Sequence, residues 1–288
     1  MKKILIQMVR SFVFVFVILL NCVSCYGARF TSAYFNELVD ILERKGFEKV
    51  EYFNSSKVSH EDLTFYPEVI NIFQPTEKPQ DYNPYEDFLS EAYVRAGKKF
   101  MRKHSELLQR AEKKYGVPKE YLVTFLGVES SFGRNTGSYQ AIGVFCSLIL
   151  LSDSPEVVNW AMGELGALIK IARIKKSKGV DFNVFDLRSS WAGAFGMSQF
   201  LPTSFLYWGV DANDDGVVNL SNLEDSVFSI ANYLRANGWK QDPRKAVYHY
   251  NPFGPFVDFV FSYARLLHQY FWALNKTKVA PAGSSRGF

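Results

Sequence analysis

The chain has 288 residues, 48% hydrophobic, 16% aromatic and 22% charged, which is ample for a large packed core and excludes a disordered chain. Its formal net charge of +4 is spread along the sequence, which excludes the clustered basic stripe of a nucleic-acid-binding surface. With three cysteines, no disulfide framework is implied.

At the N-terminus, Lys2, Lys3 and Arg10 precede an apolar run from Ser11 to Leu20, and small residues follow. Residues 1–28 therefore have the layout of an export leader, with a run too short for a membrane span. The tetrapeptide Cys22-Val23-Ser24-Cys25 resembles a lipoprotein processing box in which Cys22 replaces the usual Leu. Two outcomes are open: lipidation of Cys25 and anchoring to the outer membrane, or cleavage near Gly27 or Ala28 and a soluble periplasmic product.

From Ser32 to Lys45, Phe35, Leu38, Val39, Ile41 and Leu42 recur at helical spacing, and Gly46 supplies a stop. Gln74 to Asn83, rich in Pro and polar residues, reads as a loop. A helix is predicted from Tyr85 to Tyr115, broken near His104, and another from about Pro118 toward Gly133. Further helical patterns cover Val157 to Ile174, Leu223 to Asn237 and Phe256 to Leu274, and the basic run Lys170 to Lys178 reads as a solvated helix end. Alternating strand patterns are scarce. The chain reads as mainly α, its helices surrounding a cleft in one unit over 29–275, with a polar tail at 276–288.

Glu129 lies three, four and seven residues beyond Leu126, Phe125 and Leu122, on the apolar face of its own helix. An ionised acid there is costly, and burial raises a carboxyl pKa toward the protonated state that a general acid needs. The alternative is a Glu near a helix end that turns out to water. Ser130, Ser131 and Gly133 are small and would leave open space beside the carboxyl. Downstream, in Trp191 to Pro202, Gly193 and Gly196 permit close backbone approach and Gln199 offers a donor and an acceptor to a sugar amide or hydroxyl. Pro202 ends that turn, and Thr203-Ser204 could open a helix.

At these residues the sequence resembles the membrane-bound lytic transglycosylase B family of peptidoglycan-cleaving enzymes, from about Phe35 to about Leu267. The matching blocks are Tyr115 to Pro118, Gly127 to Gly137, Ser190 to Pro202, Ala231 to Tyr233, Gly238-Trp239 and Tyr250-Asn251. The resemblance implies a lysozyme-like α fold and a glycan-strand substrate. It makes Glu129 the sole acid/base, protonating the oxygen between N-acetylmuramic acid and N-acetylglucosamine while the muramyl 6-hydroxyl attacks to leave a 1,6-anhydro end. No second carboxylate is then needed, unlike the two-carboxylate scheme of ordinary glycosidases. By the same resemblance Ser190, Gln199, Tyr233, Tyr250 and Asn251 line the glycan groove, no cofactor enters the chemistry, and a monomer is expected. Two departures stand out: Glu156-Val157 where the family commonly carries an arginine pair, and Phe256 where it carries an aromatic hydroxyl.

The stretch Asp211 to Asn222 has oxygen-bearing residues at loop positions 1, 3, 5, 9 and 12 and Gly216 at position 6, as an EF-hand-like calcium loop would. Asp211, Asn213, Asp215, the Val217 carbonyl and Asn222 are the expected ligands of a weak structural calcium or sodium ion, with Asn222 replacing the usual bidentate Glu. The alternative is an acidic turn with no metal. Two other functional readings remain: a lysozyme-type muramidase using water, for which Glu164 or Asp186 would be the second carboxylate, and a non-catalytic peptidoglycan-binding protein. His60, His104, His249 and His268 show no metal-site or triad spacing.

Overall fold

The computed structural model describes residues 27–54, 58–73 and 83–279. The leader up to Tyr26, with Cys22 and Cys25, the loop residues 74–82 and the tail from 280 onward lie outside the described residues.

Helices dominate. The first, α1 (Ser32–Arg44), starts where the Thr31 side chain accepts a hydrogen bond from Tyr34 N at 3.1 Å, and buries Leu38 and Leu42. Short helices α2 (Glu51–Asn54) and α3 (Glu68–Phe73) follow. The predicted helix over 85–115 is a 3₁₀ turn at Glu86–Leu89, then α4 (Glu91–Lys103) and α5 (Ser105–Tyr115), broken at His104 as its sequence suggests. Gly116, at φ 71°, closes α5 in the left-handed conformation that glycine tolerates best.

Next come α6 (Lys119–Ser130), α7 (Ala141–Leu151) and α8 (Pro155–Ser177). Helix α7 has no counterpart in the sequence-based reading, because Ala141 to Ile149 are all buried and a helix covered on every side has no polar face to set a period. Glu156 and Val157, one of the two departures, lie in the first turn of α8, where the acid suits the helix dipole and Val157 is buried.

The chain continues through α9 (Pro202–Trp208), α10 (Leu223–Ala236), α11 (Pro243–Tyr250) and α12 (Gly254–Val279). Pro202 begins α9 rather than only ending a turn, since a missing N–H costs nothing in the first turn of a helix. Helix α12 extends five residues past the predicted Leu274. Two short antiparallel ladders complete the fold: β1 (Ala28–Arg29) with β2 (Thr64–Phe65), and β3 (Tyr139–Gln140) with β4 (Arg188–Ser189).

Two apolar cores result. One joins α1, α3, α7 and the first part of α8; the other joins α4, α5, α6, α10, α11 and α12. Helix α8 bridges them, with Leu168 in the first and Ile171 in the second. Helix α6, which carries Glu129, packs in the second core against α4, α5, α10 and α12.

Candidate active site

Helix α6 is buried along most of its length, so Glu129 meets protein on all sides and is 4% exposed. Its Oε1 is sealed from solvent with no hydrogen-bond partner among the described residues. Burial alone pushes its pKa well above the ordinary carboxyl range, with no neighbouring charge contributing.

The helix stops one residue later because Ser131 and Phe132 both take positive φ, 50° and 62°, a costly choice for residues with a Cβ. Ser131 N donates to Gly127 O at 2.8 Å and Phe132 N to Leu126 O at 2.9 Å. The Phe132 ring stacks on Phe100 at 5.0 Å and holds the turn down. Next to the acid in the chain, Ser130 is buried and bonded to Leu126 O and Gly133 N. A Cβ on Gly133 would come within 2.7 Å of Met197 Cε, so the small residue admits a methionine rather than leaving a void.

The segment between β4 and α9 passes close to both cores. A Cβ on Gly193 would lie 2.2 Å from the Phe145 ring, and one on Gly196 would lie 2.4 Å from Leu220 Cβ. Ser190 Oγ accepts from Ala192 N and Ala194 N, both at 3.3 Å, and so shapes this turn. Gln199 sits at φ 47° and spends its amide hydrogens on Thr136 O (3.2 Å) and Gly196 O (2.9 Å). It therefore offers a ligand only its oxygen, not the donor and acceptor that its side chain suggests.

Tyr250 donates its hydroxyl to Ser198 O, and Tyr233 donates to His249 O at 2.7 Å. Their rings lie 4.8 Å apart, with Phe125 4.6 Å from Tyr250 and Trp208 4.5 Å from Tyr233, forming an aromatic wall around the acid's helix. Asn251 is fully buried, and both polar atoms of its amide lack a hydrogen-bond partner among the described residues.

One member of this group is missing from the sequence-based reading. Tyr85 is buried, its hydroxyl without a hydrogen-bond partner among the described residues, and stacked on Phe259 at 5.3 Å. Burial first, and then the charge of Glu129, raise its pKa, and the Asn251 amide, a nearby group that falls short of hydrogen-bond geometry, opposes them. Tyr93, its hydroxyl also without a hydrogen-bond partner among the described residues, feels Glu129 more weakly. Buried polar atoms without partners are costly in the free protein and are satisfied when a hydroxyl-rich ligand or water enters. Phe256, the second departure, is buried between Tyr85 and Phe125 and acts as packing.

The two alternative carboxylates are engaged elsewhere. Glu164 accepts from Thr203 N at 2.9 Å and from Thr203 Oγ1 at 2.7 Å, fastening the start of α9. Asp186 is exposed and accepts from Asn183 Nδ2.

In the 211–222 loop, Asp211 accepts from Asp215 N and Gly216 N, and Asp215 accepts from Val217 N and from Asn213 Nδ2. The hard oxygens of Asp211, Asn213 and Asp215 suit calcium or sodium in kind. Asn222, the fifth expected ligand, accepts through Oδ1 from Glu224 N (2.8 Å) and Asp225 N (3.4 Å) and caps α10. Asp225, fully buried, cross-ties the loop instead, accepting from Ala212 N at 2.9 Å and Asn219 N at 2.7 Å. Among the described residues, no group of three or more His, Cys, Asp or Glu side chains is placed to hold a metal ion.

A family model described as Transglycosylase SLT domain matches residues 32–253, most of the chain. The chain belongs to that family. Among its transglycosylase relatives, membrane-bound lytic murein transglycosylase B of Escherichia coli strain K12 is 32% identical over 160 residues. The match covers 56% of this chain and 42% of that protein, so the chain spans about two fifths of the relative's length. The lytic transglycosylase Slt35 of Escherichia coli, solved in complex with bulgecin A, has the same fold, with a TM-score of 0.69 and 20% identity over 87% of this chain and 98% of that one. Slt35 has also been solved in complex with calcium. SltB3 of Pseudomonas aeruginosa, solved with NAG-NAM-pentapeptide, aligns with a TM-score of 0.60 and 25% identity over 71% of this chain and 54% of that one. The mainly α, lysozyme-like architecture of the transglycosylase fold is thus the one this chain adopts.

Proposed function

We propose that this chain is a lytic transglycosylase that cleaves peptidoglycan glycan strands between N-acetylmuramic acid and N-acetylglucosamine, with Glu129 as its single acid/base. The observation that carries the reading is a carboxyl group raised in pKa by burial alone, among apolar and aromatic side chains. Such a group is protonated when substrate arrives and can donate to the glycosidic oxygen as the bond to the anomeric carbon breaks. The resulting carboxylate takes the proton of the muramyl 6-hydroxyl as that oxygen bonds to the same carbon, which closes the 1,6-anhydro ring and returns Glu129 to its starting state. With Glu164 committed to Thr203, no second carboxylate is assigned to activate water.

Asn251, Tyr85 and the Gln199 oxygen are the polar groups offered to the sugars, while Ser190, Tyr233 and Tyr250 shape the groove through main-chain bonds. The 211–222 loop offers Asp211, Asn213, Asp215 and the Val217 carbonyl to a weakly held calcium or sodium ion that takes no part in the chemistry. We further read residues 1–28 as an export leader, processed either before a lipidated Cys25 or near Gly27 or Ala28, and 29–275 as the catalytic unit, which puts the enzyme in the periplasm, anchored to the outer membrane in the first case. The membrane-bound relative supports this reading, and no described helix is long and apolar enough to cross a membrane.

The test is mass spectrometry of peptidoglycan sacculi digested with the protein and with its Glu129→Gln variant. Anhydro-muropeptides from the unmodified protein alone are expected, with the variant still binding sacculi. Reducing-end products would make it a hydrolase, and no soluble products from either protein would leave a binding protein.

A further inference from the structure

Lys175, in the last turn of helix α8, and Lys178, its C-cap, reach onto the 211–222 loop. Lys175 Nζ donates to Val218 O at 3.0 Å, and Lys178 Nζ donates to Gly216 O. The Lys175 ammonium also lies over the Phe182 ring, 5.3 Å from its centroid, and over Phe205 at 6.0 Å. Both lysines lie within electrostatic range of Asp215, and Lys175 also within range of Asp225. Asp211 and Asp215 of the loop and Asp225 of α10 thus feel one another's charge, and the two lysines meet the loop through the carbonyls on either side of Val217. The position that would close a calcium loop, Asn222, is spent on capping α10.

We propose that the Lys175 and Lys178 ammonium groups supply this loop with the positive charge a bound divalent ion would otherwise bring, so that it holds its conformation with no metal bound. Two hydrogen bonds to charged donors and the cross-tie by Asp225 replace coordination as the source of order. An ion can still bind the outward oxygens, but the loop does not wait for it. This bears on the groove, because Leu220 O, just beyond the clamped carbonyls, accepts from Met197 N at 2.7 Å and backs the turn that carries Gln199.

Thermal melting of the full chain in EDTA and in millimolar calcium, compared with the Lys175→Met/Lys178→Met double variant, tests the proposal. The unmodified protein should melt within about 1 °C in the two buffers. The double variant should melt about 3–6 °C lower in EDTA and recover at least half of that in calcium. Lys178→Met alone, at an exposed position, should show the same pattern at smaller amplitude if the double variant does not fold. Three results would overturn the proposal: an unmodified protein that loses several degrees in EDTA, a double variant as stable as its parent, or a loss that calcium leaves unchanged, which would reduce the lysines to packing.

Discussion

Glu129 and Asn251 pose opposite demands on the free protein, one to shed a charge and the other to find partners. Because burial raises the folded pKa of Glu129 above its unfolded value, its contribution to stability is present below the ordinary carboxyl range and is lost as pH rises through the folded pKa. Glu129→Gln removes that loss. Thermal melts should coincide near pH 4 and diverge above it, the variant melting higher by about 2–4 °C for each kcal/mol released; parallel curves would mean that Glu129 reaches water. By the same sign, kcat/KM should fall on the alkaline side through a pKa above that of a free carboxyl. Asn251→Leu replaces two unsatisfied atoms by carbon of similar size, so it should leave stability unchanged or raised by about 1 kcal/mol while KM for glycan strands rises roughly tenfold or more, measured by chemical unfolding and by turbidity of sacculi. Glu129 was legible in the sequence because its spacing from Leu122, Phe125 and Leu126 set a carboxyl on an apolar stripe. Tyr85 was not, since it sits far from Glu129 in sequence, at the start of the 3₁₀ turn Glu86–Leu89, and no local pattern marks its packing on Phe256 and Phe259.

Among the elements, the turn from Ser190 to Pro202 owes its course to side chains it does not have. A methyl group on Gly193 would strike the Phe145 ring and sit at a φ of 80°. Gly193→Ala should cost about 2–4 kcal/mol, read as a lowered midpoint in urea, and should weaken glycan binding by displacing Gln199; an unchanged midpoint would mean that α7 yields freely. The glycines announced close approach, but not what they approach. Phe145 belongs to α7, an almost wholly apolar helix whose sequence fits a buried strand as well as a helix, and only the finished packing decides between them. Helices α1, α8 and α10 were readable because each keeps a wet face, and their caps at Thr31, Ser154 and Asn222 fix where they start. Asn222 shows the limit of a motif: the same oxygen can complete a metal loop or cap a helix, and the spacing alone fits both.

The two cores make a molecule of two lobes that share α8. Leu38→Ala in the first and Leu126→Ala in the second should each cost about 2–5 kcal/mol. Because α8 spans both, each variant should still unfold in a single transition, with near- and far-UV circular dichroism superimposing; separate transitions would show that the lobes are independent. The mainly helical class was plain from the periodicity, whereas the division into two cores was not, because it depends on which helices meet across more than a hundred residues. The pairing of α6 with α12 has a consequence during synthesis. Glu129 leaves the ribosome long before Tyr250 and Phe256, which pack on Phe125 of its helix. A chain whose last helix has not yet docked therefore displays an ordinary, hydrated carboxylate, and the raised acid comes into being only when that helix packs.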